Sequence, residues 1–270
     1  MEDKTIKMIA VDMDGTLLND RKQLPADFLP LAEKLLARGI ILVIASGRQY
    51  YNLLTYFGAF RDRFYFISDN GSLVYHQDKI VYGQAIPSAD IFKITAAFEH
   101  NLPDSFPILC GAGSAYILSE ENNPEFLLNA RMYHQRLETI ADFAEAVAQD
   151  SIGKIAVYDL KDAETGVYPF MLKHFPHLNI ALSGQHWIDI MQKGVSKGSA
   201  INFLQQKLGI TPNQTMAFGD YLNDCELLRH AHYSYAMAGA HPELKKISRF
   251  TAPSNNDNGV IKILKEYWPQ

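Results

Sequence analysis

Short apolar runs alternate with amphipathic segments at the start of the chain. Residues 6–11, 40–45 and 64–67 are rich in branched or aromatic side chains, a pattern typical of strands buried on both faces. Between the first two runs, apolar positions recur on one face of a predicted helix that stops at Gly39. This alternation of strand and helix predicts a parallel sheet with crossover helices.

The same alternation returns near the C-terminus. Strands are predicted at residues 187–191, 215–218, 233–237 and 250–252. Helices are predicted at residues 197–208, 224–230 and 259–268. The two ends of the chain therefore predict one α/β domain to which both contribute.

The middle of the chain has a different pattern. It contains a predicted helix that Ser88 caps, Pro- and Gly-rich turns, and a second predicted helix at 141–149. We therefore predict a discontinuous α/β domain from residues 1–83 and 187–270, with an α+β domain inserted at residues 84–186.

Composition and charge restrict the class of protein. The chain has 270 residues, enough for two domains of roughly 100–200 residues, and its 47% hydrophobic and 20% charged residues are typical of globular proteins. With 25 basic and 30 acidic residues the net charge is −5, which disfavours broad binding to nucleic acid or anionic membranes. Two cysteines without zinc-ligand spacing, no signal-peptide pattern and no apolar run of the ~20 residues that span a bilayer predict a soluble cytoplasmic protein.

The first candidate site is the segment Asp12-Met13-Asp14-Gly15, directly after the first predicted strand. Ligands of parallel α/β sheets bind at the carboxyl ends of the strands, so Asp12 and Asp14 would face a binding site. An ordinary Asp-Gly turn explains the same residues, and the segment alone does not decide between the two interpretations.

A second acidic segment follows the predicted strand at 215–218. Asp220, Asn223 and Asp224 lie at the start of a predicted helix, where capping is the ordinary explanation for Asp and Asn. Together with the first segment they would place four carboxylates at neighbouring strand ends, where mutual repulsion requires a hard cation. Mg²⁺ is suited to this position because it binds one or two carboxylates together with waters and a substrate phosphate.

Two further segments lie at strand-to-helix junctions. Ser46 and Gly47 follow the second strand, where a serine hydroxyl and the free N–H groups of a helix start can cap the helix or bind phosphate. Lys197 opens a predicted helix, although a lysine there is ordinarily a solvated charge that the helix dipole disfavours. A nearby cluster of negative charge would explain its position.

The order of these motifs, Asp-x-Asp, Ser, Lys and then Asp with Asn-Asp, closely resembles the haloacid dehalogenase-like hydrolase superfamily, in particular its Cof-type branch of sugar-phosphate phosphatases. The motifs cover both ends of the chain, about two thirds of it, whereas the middle matches only in length and position. The resemblance implies a Rossmann-like parallel core domain at 1–83 and 187–270 and an inserted α+β cap domain at 84–186.

The resemblance also implies a role for each residue. Asp12 would be the nucleophile that forms an aspartyl-phosphate, and Asp14 would be the acid and base for the leaving alcohol and the attacking water. Lys197 would pair with Asp12 and with the phosphate. The implied phosphate-binding residues are Thr16, Ser46, Gly47, Asn70, Lys197 and Asn223. The implied Mg²⁺ ligands are Asp12, Asp14 through its main-chain carbonyl and Asp220, with Asp224 and Asn223 in support.

Two places match the branch less tightly. Asn70, in the segment Ser68-Asp69-Asn70-Gly71 after the third strand, would reach substrate or phosphate, although a simple Asn-Gly turn explains it equally well. Gly239 stands where many relatives carry an asparagine, which puts only a peripheral contact in doubt.

The resemblance therefore implies a Mg²⁺-dependent phosphatase of a small phosphorylated metabolite, with sugar phosphates as the expected class. The expected state is a monomer or small homo-oligomer without a nucleic-acid or membrane partner. A phosphomutase would use the same aspartyl-phosphate, and a receiver-like phosphate-binding module would be phosphorylated without turnover. Asp14 and the inserted domain argue against the receiver, which needs neither.

Overall fold

The computed structural model describes residues 5–269, so residues 1–4, which entered the prediction about a signal peptide, lie outside the described residues. The described chain forms two β-sheets with surrounding helices. The strands, in chain order, are β1 (Met8–Asp12), β2 (Ile41–Ala45), β3 (Tyr65–Ser68), β4 (Leu73–His76), β5 (Lys79–Gly83), β6 (Ser105–Gly111), β7 (Ala115–Leu118), β8 (Leu137–Ile140), β9 (Ile152–Asp159), β10 (Leu178–Gly184), β11 (Trp187–Gln192), β12 (Thr215–Gly219), β13 (Tyr233–Met237) and β14 (Phe250–Ala252). The helices are α1 (Phe28–Ala37), α2 (Tyr50–Phe57), α3 (Ser88–Asn101), α4 (Pro124–Tyr133), α5 (Phe143–Gln149), α6 (Val167–His174), α7 (Lys197–Leu208), α8 (Cys225–Arg229), α9 (Pro242–Ile247) and α10 (Gly259–Tyr267).

The first sheet has eight strands in the order β14-β13-β12-β1-β2-β3-β4-β5. The strands from β14 to β3 are parallel, and β4 and β5 add an antiparallel edge. Strand β1 is central and all of its residues are buried, as the continuous apolar run predicts for a strand covered on both faces. The predicted parallel α/β core is therefore confirmed.

The second sheet has six strands in the order β10-β11-β9-β6-β7-β8, antiparallel except for the β7–β8 pair. The prediction that the strand at 187–191 belongs to the first domain is wrong, because β11 pairs with β9 and β10. A short turn joins β10 to β11, so the strand that precedes β11 in the chain also pairs with it. The inserted segment therefore extends to Gln192 rather than to residue 186.

The start of α3 also differs from the prediction. Ser88 does not cap this helix, because the main-chain carbonyl of Pro87 already accepts hydrogen bonds from the N–H groups of Asp90 and Ile91. Ser88 is therefore the first residue inside the helix, and no side chain caps the N-terminus. A serine near a helix start does not show by itself on which side of the boundary it lies.

Each sheet has its own apolar core. One cluster of buried side chains belongs to the eight-stranded sheet and its helices, and two clusters belong to the six-stranded sheet. Separate cores are expected if the inserted segment forms a domain of its own. Among residues 5–269, no helix combines the length and the apolar character needed to span a bilayer.

The contact between α7 and α8 depends on a glycine. A Cβ atom at Gly198 would lie 2.4 Å from Cβ of Glu226 and 2.6 Å from its main-chain carbon, so Gly198→Ala must push the two helices apart. We expect this change to lower the free energy of unfolding in urea by about 1–3 kcal/mol.

Gly58→Ala is the matched control, since no atom lies within 4 Å of its added Cβ and φ is −54°. We expect the control to be neutral or to stabilise the protein by up to about 1 kcal/mol. Equal stability of the two variants would contradict a tight contact between α7 and α8.

Candidate active site

Three aspartates meet where the strand order of the first sheet reverses, between β1 and β12. Asp12 is the last residue of β1, and Asp220 directly follows β12. Asp224 reaches the same place because its Oδ2 accepts hydrogen bonds from the main-chain N–H groups of Asp220 and Tyr221 at 3.0 and 3.4 Å. Such a reversal opens a crevice at the carboxyl ends of the strands, where ligands of open α/β sheets bind.

The start of α7 brings Lys197 to these carboxylates. The Ser196 hydroxyl accepts a hydrogen bond from the N–H of Ser199 at 3.0 Å, and the Ser199 hydroxyl accepts one from the N–H of Ser196 at 2.9 Å. This capping box fixes the first turn, and Lys197 Nζ then donates to Asp12 Oδ1 at 2.6 Å and to Asp224 Oδ1 at 2.7 Å. All three charged side chains are buried. The negative cluster explains why a lysine lies at a helix N-terminus.

The aspartate cluster carries more negative charge than Lys197 neutralises. One oxygen atom each of Asp12, Asp220 and Asp224 lies within 4.8 Å of the others. Burial and the charge of Asp224 raise the pKa of Asp12 to about 7, and burial and the charge of Asp12 raise the pKa of Asp220 well above its ordinary value. Carboxylate oxygens gathered this closely fit a divalent metal ion, which these three side chains could hold.

The segment after Asp12 is shaped to admit Asp220. Gly15 has a φ of +74°, and a Cβ atom there would lie 2.1 Å from Asp220 Oδ2. The Thr16 side chain is buried, and its hydroxyl donates a hydrogen bond to Asp220 Oδ1 at 3.3 Å. The Asp-Gly turn therefore exists, but its glycine and the following threonine both contact the second acidic segment.

The carboxylate of Asp14 has different partners. Arg48 donates to it through Nε at 2.6 Å and Nη2 at 2.7 Å, and Lys22 Nζ donates at 2.7 Å. Although burial would raise it, these contacts lower the pKa of Asp14 to about 2. Arg48 is itself held by Asn52, whose Oδ1 accepts from Nη1 at 2.7 Å. Asp14 is thus held as a carboxylate outside the aspartate cluster, and metal contact through its main-chain carbonyl stays a prediction.

Two charged residues of the second sheet also reach this edge of the first sheet. Lys154 on β9 and Asp189 on β11 are buried and form an ion pair at 3.1 Å. Lys154 Nζ also donates to the main-chain carbonyl of Gly47 at 2.6 Å and lies 3.5 Å from Asp69 Oδ1. The predicted phosphate-binding segment is therefore in direct contact with the inserted segment.

Asn70 and Asn223 extend this contact between the sheets. Asn70 has a φ of 54°, so the predicted Asn-Gly turn is present, yet its side chain is buried. Its Nδ2 donates to Asp189 Oδ2 at 2.5 Å, and its Oδ1 accepts a hydrogen bond from Asn223 Nδ2 at 3.0 Å. Both asparagines therefore belong to the same polar network as Lys154.

A cavity of about 470 Å³ opens over these residues, within the size range of small-molecule sites. The predicted site residues on its wall are Asp12, Asp14, Ser46, Gly47, Asp220 and Asn223. The other predicted residues each form a hydrogen bond with a residue of this wall, and they are Thr16, Asn70, Lys197 and Asp224. The Ser46 hydroxyl accepts a hydrogen bond from the N–H of Arg48 at 3.1 Å, but it does not cap α2, whose N-cap residue is Gln49. The structure thus brings all of the predicted residues together around one cavity.

Four charged residues of this region have no role that the sequence predicts, and they are Lys22, Arg48, Lys154 and Asp189. A signal was present for three of them. Arg48 directly follows Ser46-Gly47, and Lys154 and Asp189 are charged residues within largely apolar strand segments. A charge in such a position requires a buried partner, although the sequence does not show which one.

Carboxylates and a buried lysine lie together where the strand order of the parallel sheet reverses. Such a site is suited to an enzyme that acts on anionic substrates. The model of the haloacid dehalogenase-like hydrolase family matches residues 9–264, and the chain belongs to this family.

Relatives agree with this assignment over nearly the whole chain. The Escherichia coli protein named 5-amino-6-(5-phospho-D-ribitylamino)uracil phosphatase YbjI is 31% identical over 96% of this chain and 95% of its own. The Bacillus subtilis protein YitU, named for the same phosphatase activity, is 23% identical over 97% of both chains. The crystal structure of SMU.1108c from Streptococcus mutans has a TM-score of 0.91 and 27% identity, covering 98% of this chain and 100% of its own. The predicted family, fold class and enzyme class, a phosphatase of this superfamily, are therefore confirmed.

Removing the charge of Lys197 should destabilise the fold. Lys197→Met leaves Asp12 and Asp224 buried without their counter-charge, and we expect a loss of about 3–5 kcal/mol in the free energy of unfolding, measured in urea with EDTA at neutral pH. Lys207→Met, at an exposed position of the same helix, is the control and should change stability by less than about 0.5 kcal/mol. Similar losses in the two variants would show that the Lys197 ion pairs do not stabilise the fold.

Proposed function

We propose that the protein is a Mg²⁺-dependent phosphatase that hydrolyses phosphate monoesters of small metabolites, including sugar phosphates, through an aspartyl-phosphate on Asp12. The observation that carries this proposal is the buried ion pair of Lys197 with Asp12, next to Asp220 and Asp224 at a cavity wall. A nucleophilic carboxylate needs a fixed position and an adjacent positive charge that also attracts the phosphate, and this arrangement supplies both.

Hydrolysis would take two steps. In the first, an oxygen of Asp12 forms a bond to phosphorus while the ester P–O bond breaks, and the leaving oxygen takes a proton to give the alcohol. In the second, a water oxygen bonds to phosphorus as the water loses a proton, and the Asp12 carboxylate leaves to release inorganic phosphate. Asp14, on the wall of the same cavity, is the proposed acid in the first step and base in the second.

The contacts of Asp14 support the base role directly. Arg48 and Lys22 hold it as a carboxylate, the form that accepts a proton from water. To act as an acid, Asp14 must first gain a proton, and a bound phosphate favours this because its negative charge competes for the same two cations. The contacts of Arg48 and Lys22 with Asp14 would therefore weaken when substrate binds.

The proposed Mg²⁺ ligands are the side chains of Asp12, Asp220 and Asp224 and the main-chain carbonyl of Asp14. A bound Mg²⁺ would supply positive charge that offsets the charge of the phosphoryl group and of the surrounding carboxylates. The carboxylate donor set supports this choice, since Mg²⁺ prefers hard oxygen ligands.

Several groups must share the stabilisation of the transferring phosphoryl group. Enzymatic acceleration of phosphate monoester hydrolysis reaches ~10²¹, about 29 kcal/mol, whereas a single general acid contributes about 3–5 kcal/mol. The proposed phosphate-binding groups are the hydroxyls of Thr16 and Ser46, the main chain of Gly47, and the side chains of Asn70, Lys197 and Asn223.

The substrate class is supported by the cavity and by the relatives. The Escherichia coli and Bacillus subtilis proteins are named for a small phosphorylated molecule, and we propose this class for the present chain. The inserted segment, residues 84–192, would act as a cap that covers the cavity, excludes water and selects the substrate. We further propose that the enzyme acts in the cytoplasm as a monomer or small homo-oligomer without a nucleic-acid or membrane partner.

Asp12→Asn tests the nucleophile. The amide cannot form an aspartyl-phosphate, so we expect the release of phosphate from p-nitrophenyl phosphate with Mg²⁺ to fall by more than about 10³-fold. Asp62→Asn, at an exposed position, is the control and should retain wild-type activity. Activity that survives Asp12→Asn would exclude the mechanism. An isomerised sugar phosphate without free phosphate would instead indicate a phosphomutase, and stable phosphorylation of Asp12 without turnover would indicate a receiver-like module.

Asp220→Asn tests the metal site through stability rather than activity. In EDTA we expect the variant to unfold at higher urea concentration than the wild type, because one buried like charge is removed. Saturating Mg²⁺ should stabilise the wild type, by about 2.7 kcal/mol at a hundredfold excess over Kd, and the variant much less. Asp62→Asn should respond to Mg²⁺ as the wild type does, and an equal Mg²⁺ response in Asp220→Asn would place the ion elsewhere.

A further inference from the structure

Three aromatic side chains of the inserted segment line the cavity above the aspartates. Tyr133 ends α4, Tyr158 lies on β9 and Trp187 begins β11, and we refer to these three residues as the aromatic wall. The Trp187 ring lies 5.6 Å from that of Tyr133 and 5.0 Å from that of Tyr158, with interplanar angles of 79° and 61°. These edge-to-face contacts join the three side chains into one continuous surface.

The aromatic wall begins next to the carboxyl ends of the strands of the first sheet, where Asp12, Asp220 and Asp224 form the aspartate edge. The guanidinium carbon of Arg48 lies 5.2 Å from the centre of the Tyr133 ring, and the same guanidinium binds Asp14. Lys22 Nζ lies 5.9 Å from the Tyr133 ring and also binds Asp14. A phosphate ester held by the aspartate edge would therefore extend its alcohol part along the aromatic wall.

The aromatic wall is held in place by contacts within the protein. The Tyr158 hydroxyl donates to Glu125 Oε1 at 2.6 Å, and the Tyr158 side chain is largely buried. Trp187 itself is only partly buried and lines the cavity, so part of the indole faces the cavity. A ring that is already ordered loses little conformational entropy when a ligand stacks on it.

Polar groups beside the aromatic wall are largely engaged by the protein itself. His186 Nδ1 contacts the main-chain carbonyls of Asp159 and Lys161, and the side-chain amide of Asn129 donates to a main-chain carbonyl. The side chains of Ser183 and Gln185 also line the cavity on this side, next to Trp187. Aromatic side chains stack on the face of a planar ring, which leaves the polar edge of that ring to groups such as Ser183 and Gln185.

Resting on the phosphatase function proposed above, we propose that the aromatic wall binds a planar unsaturated ring carried by the alcohol part of the substrate. The phosphate lies beside the aspartates, and the ring stacks on Trp187. The side chains of Ser183 and Gln185 hydrogen bond to the polar edge of the ring. Trp187 is therefore a specificity-determining residue.

Two pairs of phosphate esters that differ by the presence of the ring test this proposal. One pair is uridine 5′-monophosphate and ribose 5-phosphate, and the other is flavin mononucleotide and ribitol 5-phosphate. We expect the wild type to show at least about tenfold higher kcat/KM for the ring-bearing member of at least one pair, since one stacked ring is worth about tenfold in binding.

Trp187→Leu should remove this preference. We expect kcat/KM for the ring-bearing member to fall by about tenfold or more, while the ring-free member changes by less than about threefold. Trp187→Phe, which keeps an aromatic ring, should retain much of the preference. Phe106→Leu is the matched control, since Phe106 is a partly buried aromatic residue that packs on the same apolar cluster as Trp187 but does not line the cavity.

Calorimetric titration of Asp12→Asn with both pairs separates the ring site from the phosphatase function. Tighter binding of a ring-bearing member that is lost when Trp187→Leu is added supports the ring site. If the wild type releases no phosphate from any ester, that result refutes the phosphatase function but not the ring site. Equal kcat/KM and equal Kd within both pairs would overturn the ring site. Equal losses on both members in Trp187→Leu, or no binding of either ring-bearing ester, would overturn it as well.

Discussion

Lys197 lies buried between the carboxylates of Asp12 and Asp224, and the remainder of the site is arranged around this pair of contacts. Carboxylates at neighbouring strand ends repel one another and lose hydration on burial, so they can be gathered only with positive charge among them. The capping box of α7 fixes the position of the lysine, and Gly15 leaves room for Asp220 to approach. The charge that Lys197 leaves uncompensated is the reason why a divalent cation fits the same place.

The two sheets meet at this edge through buried polar groups rather than through apolar packing alone. Lys154 and Asp189 belong to the second sheet, yet they contact Gly47, Asp69 and Asn70 in the segments that follow β2 and β3 of the first. Buried charges of this kind require closely fitting partners, so the position of the second sheet and the shape of the phosphate-binding segment depend on each other. The first sheet thus supplies the reactive groups, and the second supplies a surface for the rest of the substrate.

Local pattern was sufficient for the parallel strands of the first sheet, but it did not predict β4 and β5 at the antiparallel edge. Its central strands are continuous apolar runs, and α7 and β14 have the predicted bounds because their ends carry clear signals. Pattern was insufficient for β11, since an apolar run identifies a strand but not the sheet that it joins. The predicted Ser88 cap was wrong for a related reason, because the helix boundary depends on which main-chain carbonyl accepts the first hydrogen bond.

The sequence by itself determined the parallel core, the order of the motifs and, through that order, the family. Tertiary structure alone decided which charges meet. Asp14 and Arg48 are 34 residues apart, Gly47 and Lys154 are 107 apart, and Asp12 and Lys197 are 185 apart. Motifs are local, so they can be identified from the sequence alone. Partners at such separations depend instead on strand register, on helix starts and on the docking of the second sheet. The aromatic wall has the same origin, because its three rings come from three separate elements that only the folded chain brings together.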